Sequence, residues 1–169
     1  MEIRMIRESD AQSFTELNSN LDGETRFMML EPGERNPDPD SQQTHITQLL
    51  SSGNSMIFVA EEELQKKLIG YIGLFGGRFK RISHSAHIVM GILEEYRGKG
   101  LGKALMQTAE EWAKDVGLKR LELSVITDNE PAIALYTKQG FEVEGFKKHS
   151  LIINSRFVDE YYMAKLLKD

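Results

Sequence analysis

The sequence predicts an α/β (α+β) fold: a mixed, mostly antiparallel central sheet of about seven strands with about four helices. Three observations carry this. Short stretches alternating apolar with polar residues recur along the chain, and stretches with apolar residues at helical spacing lie between some of them. The two kinds interleave only in part, in the order βααβββαβαββ; strict alternation would call for a parallel sheet, whereas consecutive strands call for antiparallel neighbours. Finally, the 169 residues, 40 % hydrophobic and 28 % charged, are enough to bury a core without staples. With no repeat, low-complexity tract or linker, residues 1–169 are expected to form a single domain.

Residues 1–7 place Ile3 and Met5 between charged neighbours, as in a half-buried strand. Ser9 or Asp10 can cap a helix running to about Leu21. Residues 31–41 hold three of the four prolines and read as loop. A second helix is expected over Gln42–Leu50. Three strands follow, at Met56–Glu61, Leu68–Phe75 and His84–Leu93, the first two joined by the polar turn Glu62–Lys67. The most strongly patterned helix sets Leu101, Ala104, Leu105, Ala109, Trp112, Ala113 and Val116 on one face, with Gly117 placed for a left-handed cap. Arg120–Ile126 alternates as a strand. Asp128 or Asn129 can cap a short helix with Pro131 in its first turn, ended by Gly140. Phe141–Leu167 reads as two long strands around a turn at Asn154-Ser155.

Composition narrows the function classes. A formal net charge of −5 argues against coating a nucleic acid. The absence of cysteine removes disulfides, thiolate metal sites and a cysteine nucleophile, and is compatible with a reducing cytoplasm. Glu2, Glu8 and Asp10 leave no apolar signal core, and no apolar run approaches the roughly 20 residues that span a bilayer. The expectation is a soluble, cytoplasmic protein without a membrane or nucleic-acid partner.

The most informative stretch is Arg97-Gly-Lys-Gly-Leu-Gly102, between an apolar strand and the long helix. Glycines there let backbone N–H groups turn towards an anion, and the positive end of the helix dipole points at it. A nucleotide P-loop needs Ser or Thr after Gly-Lys, and Gly102-Lys103 is followed by Ala104. The dinucleotide fingerprint Gly-x-Gly-x-x-Gly does not fit Gly98, Gly100, Gly102. What remains is Arg97-x-x-Gly100-x-Gly102 with Arg97, Lys99 and Lys103 clustered around it, suited to a pyrophosphate held by main-chain amides.

This pattern resembles the acetyl-CoA-binding motif of the GNAT superfamily of N-acetyltransferases, Gln/Arg-x-x-Gly-x-Gly/Ala. Residues 129–141, Asn-Glu-Pro-Ala-Ile-Ala-Leu-Tyr-Thr-Lys-Gln-Gly-Phe, resemble a second family element, Asn-x-x-Ala-x-x-Leu-Tyr-x-x-x-Gly-Phe. The ending, Glu144-Gly145 and Asp159–Met163, is similar to the branch of polyamine and ribosomal-protein N-terminal acetyltransferases. The resemblance implies a GNAT fold whose two central parallel strands, ending near Ile92 and Val125, splay apart. It also implies acetyl-CoA as co-substrate and no metal. Met90, Gly91 and Ile92 would bond the pantetheine arm, and Arg97, Gly98, Lys99, Gly100, Leu101, Gly102 and Lys103 would hold the pyrophosphate. Asn129 would bond the arm or cap its helix.

Acyl transfer to an amine needs a neutral amine, a donor to the developing oxyanion and a proton for the leaving thiolate. The resemblance assigns the last task to Tyr136, whose phenol is protonated at neutral pH; a core aromatic is the alternative role. A strand N–H near Ile92 would face the oxyanion. Many relatives carry Glu ten residues before the Arg/Gln of the motif, where this chain has His87. A histidine can accept the proton at neutral pH or simply be a hydrogen-bonded strand residue. Glu24 and Glu31, in a loop that lines the acceptor site in relatives, are further candidates for the base and for substrate binding, and solvent can also take the proton. Acids at Asp22, Glu24, Glu31, Glu34, Asp38 and Asp40 would attract a cationic amine or merely solvate a loop. The expected acceptor is a small-molecule amine, polyamine-like or amino-acid-like; a peptide N-terminus and a catalytically silent acyl-CoA binder are the alternatives. Long edge strands in the C-terminal hairpin also invite pairing, so a homodimer stays open.

Overall fold

The computed structural model describes residues 1–35 and 38–168. Seven strands form one sheet: β1 (Glu2–Met5), β2 (Met56–Glu61), β3 (Leu68–Gly76), β4 (Ser85–Ile92), β5 (Arg120–Ile126), β6 (Glu142–Ile153) and β7 (Arg156–Leu166). Among the described residues four α-helices accompany it: α1 (Ala11–Glu24), α2 (Pro39–Ser51), α3 (Leu101–Asp115) and α4 (Glu130–Lys138). The sheet order is β1-β2-β3-β4-β5-β7-β6, antiparallel throughout except for the β4–β5 pair. The element order and mixed sheet expected from the pattern are those observed.

Two boundaries move by three residues. Helix α1 runs one turn beyond Leu21, and Asp10, instead of capping it, accepts from the Arg7 amide at 2.7 Å and forms a bidentate pair with Arg4. The expected loop 31–41 includes residues 36 and 37, which lie outside the described residues. From Pro39 onward it is helix, because proline suits the first helical position and the Asp38 carboxylate accepts from the Asp40 and Ser41 amides. The hairpin turn at Asn154 (φ 51°) and Ser155 (φ 59°) has both central residues left-handed, which matches the twist of the flanking strands.

The helices cover both faces. Phe14 of α1 packs edge-on against Tyr71 of β3, with centroids 5.0 Å apart; on the other face Trp112 of α3 meets Phe58 of β2 at 6.2 Å. Leu17, Leu21 and Ile46 on one side and Leu105, Met106 and Ala109 on the other are almost fully buried against a sheet core of Val59, Ile69, Ile72 and Leu121. That burial, rather than helix propensity, holds the layers together.

The feature that creates a site lies in the centre. Strands β4 and β5 pair only at Ser85↔Arg120, Ala86↔Leu121 and His87↔Glu122. Beyond His87 they separate, and their facing backbone groups are left without the ladder that a continuous sheet would supply.

Candidate active site

A cavity of about 780 Å³ fills this gap. Register decides what it meets. The Leu93 amide donates to the Ile69 carbonyl of β3, while the His84 carbonyl accepts from Lys119 and Arg120 at the start of β5. Backbone groups of even-numbered β4 residues therefore point towards β5, and those of odd-numbered residues towards β3. Met90 and Ile92 thus present main-chain groups to the gap. Gly91 does not; its backbone serves β3. What Gly91 contributes is a missing side chain, since a Cβ there would lie 2.6 Å from Leu21 Cδ1 of α1. The expected role of Gly91 in bonding an extended arm is corrected to one of close packing.

At one end of the cavity lies the turn before α3. Gly98 (φ 72°) and Gly100 (φ 84°) are left-handed, and nothing stands within 4 Å of where their Cβ atoms would be. Gly98, Gly100, Gly102 and Lys103 all line the cavity. Amides in the first turn of a helix have no intrahelical acceptor, so the cradle offers main-chain donors together with the helix dipole. Gly102 also lets α4 approach, because a Cβ there would be 2.9 Å from Leu135 Cδ2. Arg97 lines the cavity too, but its Nε donates to the Ile92 carbonyl at 2.8 Å, which ties the turn to the end of β4. Lys99 does not line the cavity, its ammonium lying 5.4 Å from the centre of the Tyr96 ring, and the Leu101 side chain is buried in the core. Of these two, Leu101 can offer the site only its backbone.

Helix α4 forms another wall. The Asn129 side chain accepts from the Ala132 amide at 3.4 Å, so it caps the helix while lining the cavity. Tyr136 is 8 % exposed, packs against Phe141 and makes no hydrogen bond through its hydroxyl among the described residues. Burial pushes its phenol up to about 12, so it stays a proton donor throughout the neutral range.

His87 lines the cavity on the face that carries α1. Burial holds its imidazole below the ordinary 6.5, opposed by Glu122 and reinforced by Lys147. It is therefore neutral at pH 7 and able to accept a proton. Glu24 and Glu31 do not line the cavity. Glu24 accepts from the Glu94 amide at 2.8 Å and lies 3.9 Å from Arg97, buttressing the turn from outside; Glu31 is an exposed loop residue whose amide donates to Glu34. Among the described residues none of the loop's acids lines the cavity; Asp22 pairs with Arg35, Glu34 accepts from the Glu31 amide, Asp38 caps α2, and Glu24 serves the glycine turn.

Four features escaped the sequence. Tyr71 of β3 lies opposite Gly91 and faces the cavity, its phenol raised to about 12 chiefly by burial. Arg35, hidden in the proline-rich loop, lines the cavity, as do Phe27–Leu30 and the buried Glu160 of β7. A run of four apolar residues in a polar loop was the one legible signal among them.

A splayed parallel pair, a glycine turn feeding a helix, and a phenol on the facing wall define an acyl-CoA-type transferase scaffold. Residues 21–141 match the family described as the acetyltransferase (GNAT) family, and the chain belongs to it. It is 34 % identical over 100 residues to the L-amino acid N-acetyltransferase AaaT of Escherichia coli (strain K12), across 59 % of this chain and 62 % of that protein. It is 32 % identical over 99 residues to the spermidine N(1)-acetyltransferase of Vibrio cholerae serotype O1, across 58 % of this chain and 56 % of that one. These matches span little more than half the length of either relative. A solved acetyltransferase of the GNAT family from Streptococcus pneumoniae superposes with a TM-score of 0.93 at 30 % identity, covering 98 % of this chain and 99 % of that chain.

Proposed function

We propose that the protein is an acetyl-CoA-dependent N-acetyltransferase that moves an acetyl group to a primary amine of a small molecule by direct attack in a ternary complex. The observation that supports this best is the continuity of one cavity from the amides at the start of α3, past the open edge of β4, to Tyr136 and His87. The residues present fit the co-substrate: a turn in which Gly98 and Gly100 carry no Cβ to crowd the diphosphate, and main-chain groups of Met90 and the Ile92 amide facing the gap for the amides of the arm, the Ile92 carbonyl being taken by Arg97.

Acetyl-CoA supplies the thioester that the amine attacks. An N–C bond forms and the C–S bond breaks. The amide N–H of Met90 or Ile92 faces the developing oxyanion. His87 takes the proton that the amine sheds, directly or through water, and Tyr136 gives its phenolic proton to the departing sulfur. A cytoplasmic location belongs to the same reading, because acetyl-CoA is too polar to cross a membrane unaided. So does a homodimer along β6, where Val143, Phe146 and Ile152, with Phe157 of β7, are exposed on a long edge; sedimentation would report it.

Thiol release from acetyl-CoA across polyamines, amino acids, aminoglycosides and short peptides tests the activity, with calorimetry of CoA beside it. Amine-dependent release is expected. Heat from CoA without turnover on any amine would make the protein a silent binder, and no heat at millimolar CoA would remove the reading altogether.

A further inference from the structure

We infer that the acceptor is a free α-amino acid with an apolar side chain, its carboxylate held by Arg35 and its side chain by the Phe27–Leu30 segment. This rests on the acetyltransferase reading and narrows its acceptor.

The first observation is the state of Arg35. Its Nε and Nη2 donate to the two oxygens of Asp22 at 2.7 and 3.0 Å, and the Asp22 side chain is only 2 % exposed. One edge of the planar guanidinium is thereby fixed against α1. Nη1 makes no hydrogen bond among the described residues, and Arg35 lines the cavity. A guanidinium carries five N–H donors, of which Asp22 takes two; the edge formed by Nη1 and Nη2 has the spacing of a second carboxylate. Because Asp22 already holds the side chain, little entropy remains to be lost when that edge is used.

The second observation is the wall beside it. Phe27, Met28, Met29 and Leu30 all line the cavity, and Met29 stays 72 % exposed. Consecutive apolar side chains left open along a cavity suit an apolar guest, and methionine adapts its shape to one.

Charge then decides among acceptors. Glu160 is the only carboxylate among the described residues that line the cavity, while Arg35, Arg97 and Lys103 are cations there. Arg97 and Lys103 stand at the end that takes the diphosphate and Arg35 is offset by Asp22, so a polyamine would find one carboxylate, Glu160, among the described lining residues, already 3.5 Å from Lys147, and would leave the free edge of Arg35 unused. A peptide N-terminus would bring a neutral amide to the free edge of Arg35. An amino acid carries one charge of each sign; its ammonium end can meet His87 and the second oxygen of Glu160, whose first oxygen accepts from Ser150 and lies 3.5 Å from Lys147.

The test compares free L-methionine, L-phenylalanine and L-leucine with their amides, with spermidine and with a short peptide, in the thiol-release assay. The acids should exceed the amides in kcat/KM by about 10- to 100-fold, the range for a charge-assisted hydrogen-bonded pair. Arg35→Gln should collapse that ratio mainly through KM of the acids. Since Arg35→Gln leaves Asp22 buried without its partner, the double variant Asp22→Asn/Arg35→Gln repeats the measurement with a neutral pair. Calorimetry of L-methionine with the CoA-loaded protein reads the site without turnover. Amides used as well as acids, or a preference for spermidine or peptide, would overturn the inference and leave the acetyltransferase intact. Saturable L-methionine binding that weakens in the variants, with no acetylation of any amine, would keep the site and remove the reaction. Neither heat nor turnover with amino acids would remove the inference.

Discussion

Replacing Tyr136 with phenylalanine separates chemistry from packing, because the structure gives the hydroxyl no structural work. The ring lies 6.0 Å from that of Phe141, a contact phenylalanine keeps. The hydroxyl makes no hydrogen bond among the described residues, so its removal orphans no partner and should shift stability by less than about 1 kcal/mol. Loss of a general acid typically costs 10²–10⁴ in rate, about 3–5 kcal/mol on the barrier. At about 12 the phenol looks poorly matched to a thiolate of ordinary basicity. A thiolate expelled into the same dry wall is raised by the same desolvation, which narrows the gap. Steady-state thiol release, CoA calorimetry and a thermal melt should therefore show turnover down about 10²–10⁴-fold with affinity and midpoint nearly unchanged. The phenol also predicts a pH signature. It stays protonated to about pH 12, so no alkaline limb below pH 10 belongs to it. The stability that burying the neutral phenol contributes is present below its unfolded value near 10 and is lost as pH rises towards 12. Turnover of the phenylalanine variant within threefold of the parent would refute the assignment.

Three other perturbations follow from the geometry. With His87 as base, the acid limb of kcat/KM should fall below pH 6.5, because burial lowers the imidazole against the opposing pull of Glu122, and the limb should vanish in His87→Ala; an unaltered limb removes the role. Gly100→Ala meets no steric obstacle but forces a side chain to φ 84°, at a cost of about 1–2 kcal/mol, and should weaken CoA binding in calorimetry; unchanged affinity and midpoint would count against the cradle. Arg4 holds Asp10 at 2.8 and 2.9 Å and Glu61 at 2.6 Å, with all three side chains 12 % exposed. Arg4→Met should cost about 2–3 kcal/mol at pH 7 by leaving Asp10 with only the Arg7 amide and Glu61 with only the exposed Lys66. Burial tends to raise the Asp10 carboxyl, but the Arg4 and Arg7 hydrogen bonds outweigh it and hold it below its ordinary 3.8. Glu61 is likewise held below 4.5 by Arg4. The parent's advantage is therefore full above these values and shrinks as pH falls through the lowered ones, so the gap between parent and variant denaturant midpoints should be smaller at pH 3 than at pH 7.

Particular residues show where sequence reasoning reached and where it stopped. Strands β2 and β5 are legible to the residue because their patterns are bounded by turn residues on both sides. Helix α2 begins three residues early because Pro39 reads as a breaker until Asp38 is seen to cap it. The resemblance points to the main chain of Gly91 as a partner of the arm, but the alternation of β4 turns it to β3 and leaves the main chains of Met90 and Ile92 facing the gap. Glu24, a candidate base or substrate ligand from the sequence, instead accepts from the Glu94 amide beside the glycine turn.

The order of local preferences along the chain was enough to establish the mixed sheet, the glycine turn feeding α3 and the tyrosine on α4, since each depends on neighbours within one element. What only the tertiary structure decided is which distant side chains meet: Asp22 with Arg35, Tyr71 with Gly91, and Glu160 and His87 with the same opening. Those meetings depend on strand register and on how a loop folds back over the sheet, and both are set by burial summed across the whole core rather than by any local run of residues.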